Sequence, residues 1–237
     1  MLKTFVPSLV VLPVLAFAQP GRSDVEQGLT AVRHEDHAQA VAIFSSVVAD
    51  RPQETKAWFY RGLSREALGD LEGAQHDLER ALALDPSDHN IRLRRAELFL
   101  SKAMYEASLN DLLLIIEQAP DHPIADHARF DKGQVLVAMG HYEDAYMTYD
   151  ELVDRRPQDA KAHCNRGIVL ANLGRHEEAV QDLDQAIALE PGLARAYGHR
   201  AVSLFELDRH DEACQDLVKG RELGDMTVEE MLVIFCL

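Results

Sequence analysis

Cysteine and basic side chains are both scarce in this chain, and each scarcity excludes something. Three cysteines and one tryptophan occur in 237 residues. Three thiols cannot build a four-cysteine zinc site or a multi-bridge framework; they allow one internal bond and one spare thiol. Lysine and arginine number 24 against 40 acidic side chains, a formal charge of −16. A surface of that sign repels nucleic-acid phosphates and anionic headgroups, so no nucleic-acid partner is expected. Recurrent chemical motifs are missing too. There is no Gly-x-Ser-x-Gly elbow, no Gly-x-x-x-x-Gly-Lys phosphate loop and no Gly-x-Gly-x-x-Gly dinucleotide turn. No catalytic residue and no cofactor are assigned, and a non-enzyme is expected.

Long apolar runs are absent after residue 18. Before it, MLKTFVPSLVVLPVLAFA has one early lysine, an apolar stretch from Phe5 to Ala18 and a small-x-small ending at Ala16-Phe17-Ala18. That is the pattern of a secretory signal peptide cleaved after Ala18, which predicts a periplasmic or secreted protein. The stretch covers about 14 residues and is interrupted by Pro7 and Pro13, whereas a spanning helix needs about 20. No membrane insertion is expected after cleavage.

What the chain has instead is repetition. Prolines at 52, 86, 120, 157 and 191 are 34, 34, 37 and 34 residues apart, and a fixed period of that size marks a repeat array. Units fall at 21–54, 55–88, 89–122, 126–159, 160–193 and 194–227, with a three-residue insertion around Asp121–Pro123. Each reads as two amphipathic helices around a tight turn; in the fifth, Gly174 suits the first helix's end and Pro191 stops the second. Positions can be numbered as slots within each unit. Slot 8 holds Gly28, Gly62, Ala96, Gly133, Gly167 and Ala201, and slot 20 holds Ala40, Ala74, Ser108, Ala145, Ala179 and Ala213. Slot 24 is always large: Phe44, Leu78, Leu112, Tyr149, Leu183 and Leu217. Small residues facing a large one predict two helices in close contact. The apolar ending VEEMLVIFCL, 228–237, predicts a short helix capping the open end. The Ala119–Pro123 segment is either a hinge or a slightly longer turn.

Trp58 and Gly62, Gly140-His141-Tyr142-x-x-Ala145, Gly174-Arg175-His176-x-x-Ala179 and the closing prolines make the chain resemble the tetratricopeptide repeat family, over about nine-tenths of the mature chain. Slot 4, where an aromatic is expected, holds Asp24, Arg92, Arg129 and His163 in four units, and Asp225 stands where the sixth closing proline should be. The resemblance implies an all-α, right-handed superhelical solenoid of six helix-turn-helix repeats with a C-terminal capping helix. It also implies a non-catalytic scaffold or adaptor whose first helices line a concave groove for a peptide or partner helix. The slots facing that groove hold Lys56, Phe59, Leu63, Leu93, Phe130, Gln134, Lys161, Ile168, Arg195, Val202 and Phe205, an apolar floor with basic residues at one edge. Of the terminal-carboxylate clamp in the family's chaperone-tail binders, only Asn165, Arg195 and His199 fall on comparable slots.

Two other readings stand beside the scaffold. Eleven histidines, with His34 and His37 the one close pair, suggest a metal-binding protein, although no helical His-Glu-x-x-His frame is present and no metal site is assigned. An accessory subunit that positions a catalytic partner is the other. Cys164 beside His163 does not make a nucleophile and base, because adjacent helical residues point about 100° apart.

Two further expectations concern stability. Slot 7 is Arg61, Arg95, Arg166 and Arg200 in just those units whose slot 23 is Asp77, Asp111, Asp182 and Asp216, so an ion pair within each of these hairpins is expected. Cys214 and Cys236 occupy slots 21 and 9 of helices that should run antiparallel across a short turn. A disulfide between them is expected, with Cys164 free; the last unit also resembles the closing repeats of exported bacterial members.

Overall fold

The computed structural model describes residues 24–236, so the proposed signal peptide, 1–18, lies outside the described residues. Thirteen α-helices follow one another with no strand among the described residues. Six hairpins come first: α1 (Asp24–Arg33) with α2 (His37–Asp50), α3 (Thr55–Ala67) with α4 (Leu71–Leu84), α5 (His89–Ser101) with α6 (Tyr105–Gln118), α7 (Pro123–Ala138) with α8 (Tyr142–Arg155), α9 (Ala160–Asn172) with α10 (His176–Leu189), and α11 (Ala194–Glu206) with α12 (His210–Glu222). A 3₁₀ turn, Met226–Val228, leads into α13 (Glu229–Phe235). Each helix packs on the one before and the one after it, giving a solenoid with several local cores along its length.

The small-against-large slots explain the hairpins. Every slot-20 residue is fully buried, and no slot-24 side chain is more than 1% exposed. A Cβ built on Gly133 would lie 2.4 Å from the Tyr149 ring, and one on Gly28 would lie 2.5 Å from Phe44. Glycine is what permits an aromatic at slot 24; units with alanine at slot 8 carry leucine there.

Slot 15, between the two helices, needs a left-handed backbone in all six units. Gly69, Gly140 and Gly174 supply it at φ 82, 77 and 74°. Glu35, Ala103 and Asp208 adopt φ 58, 54 and 58° despite their Cβ atoms.

The four expected ion pairs form, each bidentate. Arg61 donates from Nε and Nη2 to Asp77 at 2.7 Å twice, and Arg95 to Asp111 at 2.8 Å twice. Arg166 reaches Asp182 at 2.6 and 2.7 Å, and Arg200 reaches Asp216 at 2.7 and 2.6 Å. A contact not anticipated links successive units: Nη1 of Arg61, Arg166 and Arg200 donates to Ser45, Asp150 and Asp184, all at slot 25 of the preceding hairpin. Donating hydrogen bonds to these carboxylates raises the pKa of Arg95, Arg166 and Arg200. Since the aspartates are buried, removing one partner strands the other, at a cost of about 3–5 kcal/mol.

Three of the four departures at slot 4, Arg92, Arg129 and His163, also have an explanation. Trp58 Nε1 donates to the carbonyl of Pro52 at 2.9 Å, Arg92 to Pro86 at 2.6 Å, Arg129 to Pro120 at 3.2 Å and Tyr197 to Pro191 at 3.2 Å. His163 Nε2 lies 3.1 Å from the Pro157 carbonyl. What this slot requires is a long side chain with a donor that can satisfy the turn carbonyl of the preceding unit; aromaticity is one way to provide it.

The insertion does not lengthen the turn. It adds a turn to the start of α7, which spans 16 residues where α3, α5, α9 and α11 span 13. Pro123 begins that helix, where its missing N–H costs nothing, and Ile124 and Ala125 are buried.

At the far end Val228 and Leu232 are buried against the last hairpin, whereas Val233, Ile234 and Phe235 are more than half exposed. Cys214 and Cys236 are bonded, with Cα atoms 5.6 Å apart, and Cys164 is free and buried.

Candidate partner-binding groove

The inner wall is identified by which helices touch. First helices contact one another between units, α1 with α3, α5 with α7 and α9 with α11, while no pair of second helices does so comparably. First helices therefore form the tighter, concave side. Their slots 2, 5, 6, 9 and 12 face it, because the arginine at slot 7 and the small residue at slot 8 are turned to the second helix.

The structure sorts the expected groove residues by exposure. Phe59, Leu63, Phe130, Gln134 and Phe205 are half-buried, Lys56, Lys161, Arg195 and Val202 are exposed, and Leu93, Asn165 and Ile168 are buried. Phe130 packs edge-on to Tyr149, with ring centroids 6.0 Å apart, and Phe205 lies 5.2 Å from Phe235 of the cap. Gln134, Val137, Tyr149, Asn165, Ile168 and Arg195 come together around a cavity of about 220 Å³. A recess of about 550 Å³ brings Phe130 and Lys161 together with His127 and Glu190.

The three residues on clamp-like slots do not act alike. Asn165 is buried beside the Tyr149 hydroxyl, and burial raises the Tyr149 pKa, which keeps that hydroxyl protonated. His199 is pushed down to about 4 by burial, with Arg195 adding to the effect. It is therefore neutral at pH 7 and accepts from Arg195 Nε at 3.3 Å. Arg195 alone brings positive charge to this part of the wall. Cys164 is pushed up to about 11 by burial, and His163 turns away from it toward Asp182 Oδ1, 3.3 Å from Nδ1. A thiol so protonated is a poor nucleophile.

What the sequence reading missed is the charge in the middle of the groove. Glu66 on α3, Glu97 on α5 and Asp131 on α7 occupy slots 12, 9 and 6, stepping diagonally across three successive first helices. Arg94 pairs with Glu97 and lies 3.8 Å from Glu66. Burial raises the Glu97 pKa, and Arg94 partly offsets it. Asp131 is pushed up to about 7, first by burial and then by the charge of Glu97, again partly offset by Arg94. The repeat register carries the signal, since Glu97 and Glu66 stand at slots 9 and 12, the slots of Leu63 and Phe205.

No helix among the described residues is long and apolar enough to cross a membrane. Two models of the tetratricopeptide repeat match the chain, one at residues 28–98 and the other at 130–194 and 172–220. Superkiller complex protein 3 of Mus musculus is 29% identical over 137 residues, which is 55% of this chain but only 9% of that protein's length. Among solved structures, the type IV pilus biogenesis factor PilW superposes with a TM-score of 0.76 at 16% identity, covering 88% of this chain and 96% of that one. YrrB, described as a tetratricopeptide protein with an unusual peptide-binding site, gives 0.59 at 19% identity, covering 79% of this chain and 96% of that one. With the period, the hairpins and these matches in agreement, the chain belongs to the tetratricopeptide repeat family.

Proposed function

We propose that the protein is a non-catalytic scaffold or adaptor of the cell envelope that binds a peptide or a partner's helix along the inner wall. Tetratricopeptide folds mediate protein–protein interaction, and the observation that carries the finer reading is the half-buried apolar row Phe59, Leu63, Phe130 and Phe205, continued by exposed Val202. Export is supported by the apolar stretch ending at Ala18 and by a disulfide, which persists in oxidising compartments.

The test is capture of partners from an envelope fraction by the wild type, by the pair Phe130→Ser with Phe205→Ser, and by the outward-facing control Met147→Ser. The groove pair should lose the partner while the control keeps it and all three stay folded by circular dichroism. Equal capture by all three would refute the groove. The mass of the amino-terminal peptide from the native compartment tests export; it should begin at Gln19.

A further inference from the structure

The inner wall carries a charge that its own residues leave unbalanced. Glu66, Glu97 and Asp131 share one guanidinium, that of Arg94. Glu66 Oε2 is buried without a hydrogen-bond partner. Asp131 makes no hydrogen bond and no ion pair with any described residue; its charged neighbours are Glu97 and Arg94. His127, one turn before Asp131 on α7, acts on Glu97. Two neighbouring cations on the same helix are committed elsewhere, Arg92 to Pro86 and Asp111, and Arg95 to Asp111. Around this line lie the apolar groove residues Leu63, Leu93 and Phe130.

Such an arrangement is costly in a free protein, since partly buried carboxylates without partners lose hydration and gain nothing in return. A cation arriving with a partner would supply the missing interaction in a site where water is already partly excluded. A metal ion does not fit, because among the described residues no three His, Cys, Asp or Glu side chains converge closely enough to hold one. A long, flexible side chain can bridge carboxylates that a single ion cannot.

Resting on the groove reading above, we propose that the partner segment presents a lysine or arginine flanked by apolar residues, with its cation seated between Glu97 and Asp131 and its neighbours on Phe130 and Leu63. The preference is opposite in sign to a terminal-carboxylate clamp.

A random 12-residue peptide library displayed on phage, selected against the full chain, tests this directly. Enriched peptides should share one basic residue among apolar ones. For such a peptide, replacing that residue with methionine should weaken binding about tenfold on the wild type and much less on the isosteric double variant Glu97→Gln with Asp131→Asn, its fold checked by circular dichroism. Peptide binding should also move the Asp131 carboxyl signal, followed by carbon NMR, toward the ionised form at pH 7. Peptides that Phe130→Ser abolishes but that show no basic residue, or no difference between wild type and double variant, would overturn the inference and leave the groove standing. Peptides indifferent to Phe130→Ser, or no enrichment at all, would overturn both.

Discussion

Asp131→Asn should stabilise this protein, and the gain should depend on pH in a defined way. In the folded chain the Asp131 carboxyl is pushed up from 3.8 to about 7 by burial and by Glu97. The native state therefore holds a proton between about pH 4 and pH 7 that the unfolded chain releases. Stability falls as pH rises through that window, and the whole penalty is present above it. Roughly three pKa units at about 1.4 kcal/mol each set a ceiling of about 4 kcal/mol. The carboxyl keeps some contact with water, which reduces the expected gain to on the order of 2 kcal/mol. Asparagine has the shape of the protonated acid and carries no charge. Urea unfolding followed by the fluorescence of Trp58, the single tryptophan, gives the comparison at pH 4.5, 6, 7 and 8.5. The variant and the wild type should lie closest at the lowest pH and separate progressively toward a plateau at pH 8.5. A constant difference, or a variant less stable than the wild type at pH 8, would refute the argument that Asp131 is a desolvated and unpaired acid.

Two further tests address the scaffold itself. Ala103→Gly, at the left-handed turn between α5 and α6, should raise stability by about 1 kcal/mol by removing the Cβ strain, visible as an increase in the thermal midpoint; no increase would mean that the φ of 54° costs little there. Reducing the Cys214–Cys236 bond releases a loop whose ends are 22 residues apart, worth up to roughly 3 kcal/mol, and should speed amide exchange in α12 and α13 while leaving α3 and α4 as they were.

The parts of the fold readable beforehand are those with a period. Slots 8, 20 and 24 are constrained by contact between two helices of one hairpin, so a small or large residue recurs in every unit and the register shows itself. Slots 7 and 23 were legible because arginine and aspartate appear and disappear together. The third donor of Arg61, Arg166 and Arg200 was not, since its acceptor at slot 25 varies among Ser45, Asp150 and Asp184 and belongs to another unit. Slot 4 is irregular in residue type, whereas the feature shared by units two to six is one hydrogen bond to a proline carbonyl. The prolines of the insertion suggest a hinge or a longer turn, but a proline opening a helix lengthens it at no cost. Groove residues have no such recurrence. Leu93 and Ile168 share slots with half-buried Phe130 and Leu63 and are nonetheless buried, because exposure there depends on the lengths of neighbouring side chains.

The distribution of satisfied and unsatisfied charge follows from this division. On the side where the two helices of a hairpin meet, each arginine finds two carboxylate oxygens of its own unit, and Arg61, Arg166 and Arg200 also reach the unit before. That side is committed to holding the array together. The fourth unit breaks the ladder, with Lys132 and Thr148 in place of the pair and Leu113 at slot 25 of the unit before. It is tied down differently, through Arg129 to Glu151 at 2.7 Å and Arg155 to Asp126 at 2.8 Å, around the added turn of α7. The same helix carries Asp131 on its inner face, where among the described residues Arg94 only partly offsets the burial and the charge of Glu97. An array stabilised by nearest-neighbour contacts tolerates such a local cost, because the neighbouring hairpins supply the stability that one unit gives up. The inner wall can thus keep an unpaired acid that would be hard to retain in a small domain with a single core, and there a cation brought by a partner gains most.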